Sequence, residues 1–255
     1  MSNTLSTDKQ IAIIAALAEG SSIRGIERMT GVHRDTIMRL GVKIGQGCAR
    51  ILDEKMRDLT CNDLQLDEIW GFIGKKQRHL NPLDHSTLGD VWTFCAIDRE
   101  TKAVPCFKVG KRDAATANAF VGDLAGRLRN RVQLSTDGLK AYVDAVERCF
   151  GTEVDYRMIV KTYASTDDPA KPERRYSAPE VVDIKKYIVM GDPKPEGICT
   201  SHVERVNATT RLHMKRLNRL TLAFSKKFEN FEAAVGLNFA AYNFVKYHRS
   251  IRMTP

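Results

Sequence analysis

The chain has 255 residues, 43% hydrophobic and 28% charged, enough apolar material for a sizeable core in one large domain or two ordinary ones. With 40 Lys and Arg against 31 Asp and Glu, its formal charge of +9 points to a polyanionic partner. The longest apolar run near the start, Ile11 to Ala18, falls short of the roughly 20 residues a bilayer span needs, and no stretch has the order of a secretory signal. A soluble protein without a membrane partner is expected. Its six scattered cysteines, with no C-x-x-C pair, imply reduced thiols and a cytoplasmic location rather than a zinc site.

Residues 8 to 45 predict three short helices. Asp8 can cap Gln10 to Ala18, Ser21 or Ser22 can cap Ile23 to Met29, and a turn at Thr30-Gly31-Val32 leads into His33 to Ile44. Two short helices joined by a Gly-containing turn form the helix-turn-helix pattern, which presents Arg34 and Arg39 to a DNA major groove. A plain three-helix bundle with solvated charges gives the same pattern. Residues 46 to 62 are expected to be a connector, which divides the chain into a DNA-binding domain at 1–60 and a second domain at 61–255.

Beyond the connector the period changes to that of strands. Leu64 to Ile73, Val91 to Ile97 and Ala103 to Val109 predict an antiparallel meander, with a polar turn at Asp98-Arg99-Glu100-Thr101. A helix from Ala114 to Arg129, a strand from Arg131 to Thr136, a helix from Leu139 to Cys149 and a strand from Tyr156 to Lys161 follow. Prolines and mixed charge mark 162–200 as a long excursion, with one strand near Asp183 to Met190. Helices then run from Ser201 to about Leu220 and from Phe228 to Tyr247. The expected class is α/β: a ribonuclease H-like mixed sheet flanked by helices, preceded by a small all-α helix-turn-helix domain.

Three carboxylates stand out. Asp67 sits inside an apolar strand, where a charge is costly unless it is paired or bound to a metal. Alternation puts Asp67 and Glu68 on opposite faces. Asp137 ends a strand and is followed by Gly138, a favoured place for a site, and Glu204 lies on a helix that Thr200-Ser201 can cap. Acids converging from distant segments suit Mg²⁺ or Mn²⁺, hard cations that prefer oxygen ligands. Taken singly, Asp137 is equally read as a helix cap and Glu204 as a solvated helix charge.

Glu204, Asn207, Arg211 and Lys215 share one helical face, and no acid follows Glu204 until Glu229 while Arg216 and Arg219 add to the positive track. Val203, Val206, Met214, Leu217 and Leu220 are expected on the buried side. Asn207, Arg211, Lys215, Arg216 and Arg219, with Lys75 after the first strand, are the expected DNA contacts of this domain.

Leu66-Asp67-Glu68-Ile69-Trp70-Gly71-Phe72-Ile73-Gly74-Lys75-Lys76 resembles the first catalytic block of transposases of the insertion-sequence-one family. Ser135 to Tyr142 resembles the second block, Ser201 to Asn207 with its continuation to Arg219 the third, and Tyr242 to Pro255 the C-terminal end. The resemblance implies a bacterial D-D-E transposase with Asp67, Asp137 and Glu204 as catalytic residues and ligands of two Mg²⁺ or Mn²⁺ ions, and Glu68 as a bystander on the other side of the sheet. It implies binding to the inverted-repeat ends of the element and to target double-stranded DNA, and at least a homodimer in the DNA complex. The chain departs from the pattern in lacking the cysteines of an N-terminal zinc-binding segment, in its longer Asp137–Glu204 interval, and in stopping where relatives run on. A helix-turn-helix regulator whose second domain only binds, and a nuclease on the same fold that cuts without joining, remain open as other functions.

Overall fold

The strand Asp63–Ile73 (β1) is buried along nearly its whole length, on both faces. Leu64 and Leu66 point into one core and Ile69 and Ile73 into the other, which explains why its sequence is an apolar run instead of a clean alternation. In this computed structural model, which describes residues 4–164 and 180–255, β1 lies near the middle of a six-stranded sheet. The order is β3-β2-β1-β4-β5-β6, with β2 at Gly89–Asp98, β3 at Phe107–Gly110, β4 at Val132–Thr136, β5 at Val154–Tyr163 and β6 at Val181–Met190. β1, β2 and β3 pair antiparallel, β4 and β5 join in parallel, and β6 returns antiparallel along β5.

Helices cover both faces. α4 (Ala114–Ala125) and α5 (Ala141–Phe150) bring Phe120, Val121, Leu124, Tyr142 and Val146 against Leu64, Leu66 and Phe94. Asp113 caps α4 by accepting from Thr116 N at 2.8 Å. On the other face, α6 (Ser201–His213) and α7 (Phe228–Phe244) bring Val203, Val206, Phe231 and Phe239 against Ile69, Ile73 and Cys95.

The N-terminal helices are α1 (Thr7–Ala18), α2 (Ile23–Thr30) and α3 (Arg34–Lys55), joined in the expected helix-turn-helix order around Ile13, Ile26, Val32 and Ile37. Gly31 takes the left-handed conformation, at φ 67°, that ends α2 and allows the turn. The connector expected at 46–62 is largely helix: α3 continues to Lys55 and places Leu52 and Met56 in the sheet's core. Its glycines resemble breakers, yet a Cβ on Gly45 would lie 2.0 Å from the Ala233 carbonyl oxygen, so Gly45 permits the close crossing of α3 and α7. The two parts of the chain therefore share a helix.

Other boundaries shift for local reasons. The third strand starts at Phe107 rather than Ala103, behind Pro105, which lacks an N–H for the ladder. α4 stops at Ala125, where Gly126 caps it. The expected helix to Leu220 ends at His213; a short 3-10 turn follows at Lys215–Leu217, and Leu220 is exposed where burial was expected. In the expected excursion β6 pairs antiparallel along β5, whereas 165–179 lies outside the described residues. Among the described residues no helix is long and apolar enough to cross a membrane.

Candidate active site

The parallel pairing of β1 and β4 runs Asp63 to Gln133, Leu64 to Leu134 and Gln65 to Ser135, and then stops. Extending that register by two residues sets Asp67 beside Asp137 where the strands part, and the parting opens a gap in the sheet. Asp137 holds the turn after β4, its Oδ1 accepting from Leu139 N at 3.0 Å. Asp67 accepts from Glu68 N at 2.8 Å and from Asn207 Nδ2 at 2.7 Å. Asn207 in turn takes the Cys95 thiol at 3.3 Å.

Glu68 was expected to stand aside, yet its carboxylate lies beside those of Asp67 and Asp137. It does leave β1 on the opposite face from Asp67, but that face opens into the same gap. Ligand oxygens of Asp67, Glu68 and Asp137 all lie within 4.8 Å of one another. Burial first, and then Asp137, push the Asp67 carboxyl up to about 7; burial, Asp137 and Asp67 push Glu68 up to about 8. Arg112 works against this from one side: it lies 3.4 Å from Glu68 Oε2 and 3.6 Å from Asp137 Oδ2, with its guanidinium 4.9 Å over the Trp92 ring. Sequence reading missed Arg112, since its only local signal is a basic residue before the α4 cap.

Glu204 is brought to the same end of the sheet by α6, and its charge acts on Asp67, but it stands outside the three-acid group. Its Oε1 is held by the Lys161 ammonium of β5 and by the Thr200 hydroxyl at 2.7 Å. Thr200 thus binds the carboxylate instead of capping the helix. The cap comes from β1: Gln65 Oε1 accepts from His202 N at 2.9 Å and Val203 N at 3.1 Å. Gln65 and Asn207 together moor α6 to the strand that carries Asp67.

The donor set around the gap is carboxylate oxygen throughout, which suits a hard divalent cation. Burial raises Asp67 and Glu68 first, and the neighbouring carboxylates add to it. Among the described residues Glu68 Oε1 is buried without a well-formed hydrogen bond. These residues therefore fit Mg²⁺ or Mn²⁺.

The basic residues separate into two kinds. Arg34 and Arg39 are exposed on α3, and Lys215 and Arg219 are exposed after α6. Lys75 is paired with Asp84 at 2.5 Å. Arg211 donates to the Leu217 carbonyl at 3.5 Å and Arg216 to Ser225 at 2.6 Å, and burial lowers the pKa of both. Because α6 ends at His213, Lys215 does not extend the face of Glu204, Asn207 and Arg211.

No protein-family model matches the chain. The Insertion element IS1 2 protein InsB of Escherichia coli (strain K12) is 26% identical over 172 residues, covering 68% of this chain and 70% of the relative. The Insertion element IS1 protein InsB of Shigella flexneri is 25% identical over 172 residues, covering 68% and 89%. Among solved structures, the cryo-EM structure of the piggyBac transposase synaptic complex with hairpin DNA aligns with a TM-score of 0.51 at 9% identity, over 93% of this chain. The chain spans 65% of that protein's length. With the sheet order above, this likeness shows a ribonuclease H-like fold. The chain thus shows distant homology to the IS1 InsB proteins.

Proposed function

We propose that the chain is a DNA transposase that binds the ends of an insertion sequence, cuts DNA strands there and joins them to a target. The observation that carries this reading is the meeting of Asp67 and Asp137 where β1 and β4 part, with the Glu204 helix moored to the same strand. Distant homology to the InsB proteins supports it, as does the likeness to a transposase solved with hairpin DNA. Joining two ends calls for at least two copies of the chain, working on the nucleoid in the cytoplasm.

Asp67, Asp137 and Glu204 would hold the Mg²⁺ or Mn²⁺ ions. Two ions in such a site supply activation of the attacking oxygen and stabilisation of the leaving one in a phosphoryl displacement. The chain's own contribution is placement. Asn207 fixes the rotamer of Asp67, Thr200 and Lys161 fix that of Glu204, and Leu139 N fixes that of Asp137. Lys215 and Arg219, exposed beyond α6, are suited to phosphates beside the cut, and Arg34 and Arg39 to the element end.

The test incubates the purified protein with element-end DNA and Mg²⁺ or Mn²⁺ and looks for nicked and joined products. Asp137→Ala should abolish both and keep DNA binding; if that variant still cuts, the assignment is wrong. Cutting without joining would make the protein a nuclease, and binding without either a regulator.

A further inference from the structure

We propose that Glu68 is a working ligand of the metal site, so that Asp67, Glu68 and Asp137 together hold one divalent cation without help from Glu204. The proposal rests on the metal-dependent reading above and adds to it a residue outside the expected triad.

Three observations carry it. The first is convergence, since ligand oxygens of these three residues lie within 4.8 Å of one another although they come from both faces of the sheet. The second is the state of the Glu68 carboxylate. Its side chain is 1% exposed, its Oε2 meets Arg112, and among the described residues its Oε1 is buried without a well-formed hydrogen bond, the neighbouring Tyr142 hydroxyl favouring its charged form only weakly against the burial. A buried carboxylate oxygen left this way is costly, and a cation in the gap relieves the cost. The third is the nature of Arg112. A guanidinium meant to neutralise Glu68 permanently would be buried with it, yet Arg112 is 39% exposed and divides itself between Glu68 and Asp137 at 3.4 and 3.6 Å. That is the placement of a charge that can withdraw when a metal enters. Glu204, by contrast, already has Lys161 and Thr200 as partners.

Mn²⁺ binding to the full chain without DNA, followed by calorimetry and by the loss of the free-ion spin resonance signal, tests this. Glu68→Gln keeps the shape and removes the charge, and should weaken uptake about tenfold or more. Glu204→Gln should keep one ion within about threefold of the wild-type affinity, whereas Asp137→Asn should lose it. A Glu68→Gln protein that melts as the wild type does and binds Mn²⁺ equally well overturns the proposal. Should Glu68→Gln not fold, Arg112→Gln decides. Removal of the guanidinium should tighten Mn²⁺ binding severalfold, and unchanged or weaker binding overturns the proposal. A wild-type chain that takes up no Mn²⁺ defeats the metal reading as a whole, whereas normal uptake by both wild type and Glu68→Gln defeats the role of Glu68 alone.

Discussion

Asn207 Nδ2 donates to Asp67 Oδ2 at 2.7 Å, across 140 positions of sequence. One turn before it on α6 stands Glu204, so this hydrogen bond sets the distance between the first and third carboxylates. Asn207→Ala should therefore act on chemistry more than on folding. Loss of one hydrogen bond to a carboxylate costs about 1.5–3 kcal/mol of stability, too little to unfold the chain, and a mispositioned ligand costs about 10–100-fold in activity. Single-turnover strand cleavage should fall in that range while affinity for the same DNA changes little. A variant that cuts at the wild-type rate removes Asn207 from the site's scaffold.

Gly45 should not tolerate a side chain. The added Cβ would meet the Ala233 carbonyl oxygen at 2.0 Å, and the Gly236 side of the crossing is also tight, with the Gly45 carbonyl oxygen 2.7 Å from a Cβ there. Backbone cannot yield as a side chain does, so Gly45→Ala should destabilise by ~1–3 kcal/mol, read from urea unfolding. If the unfolding midpoint is unchanged, α3 and α7 are not packed as described.

The acidic gap also predicts a pH dependence. Burial and mutual repulsion raise Asp67 to about 7 and Glu68 to about 8 in the folded chain, against about 4 for free carboxylates. Between those limits the folded state holds more protons than the unfolded one, so stability falls as pH rises and levels off above the folded values. The metal-free protein should melt a few degrees lower at about pH 8.5 than at about pH 6.5. Asp67→Asn should shrink the difference, and Mg²⁺ should restore stability at the higher pH. A melting point that rises over this interval and ignores Asp67→Asn contradicts the assignment.

Arg34 and Arg39 lie exposed on the helix that a helix-turn-helix lays in the major groove. Each change to Ala should weaken binding to element-end DNA by about 1–3 kcal/mol, measured by fluorescence anisotropy at fixed salt, with Mn²⁺ uptake unaltered. Unchanged affinity in both variants would place end recognition elsewhere.

The sheet was legible because β1 and β2 are apolar runs of strand length and the helix α4 follows a simple apolar period, and Asp67 because a charge inside such a strand needs a reason. Glu68 was not. Alternation tells which face a side chain leaves from, but it does not tell that β1 and β4 separate after Gln65 and Ser135 and let both faces reach one opening. The third helix was expected to end at Ile44, and only the partner helix α7 shows that Gly45 is there for contact. The end of α6 at His213 carries no glycine or proline signal, so the basic track was drawn as one face when it is broken at Met214. The Gln65 cap joins residues 137 positions apart, beyond the reach of any local pattern.

The most direct measurement compares metal-dependent strand joining by the wild type, Asp67→Asn, Asp137→Asn and Glu204→Gln on one element-end substrate, with DNA affinity measured in parallel. Each substitution should reduce joining by about a thousandfold or more while affinity stays within a few-fold, since each removes a metal-ligand charge and little volume. Joining by any of the three near the wild-type rate, or joining by the wild type with all divalent metal chelated, would contradict a carboxylate-centred transposase.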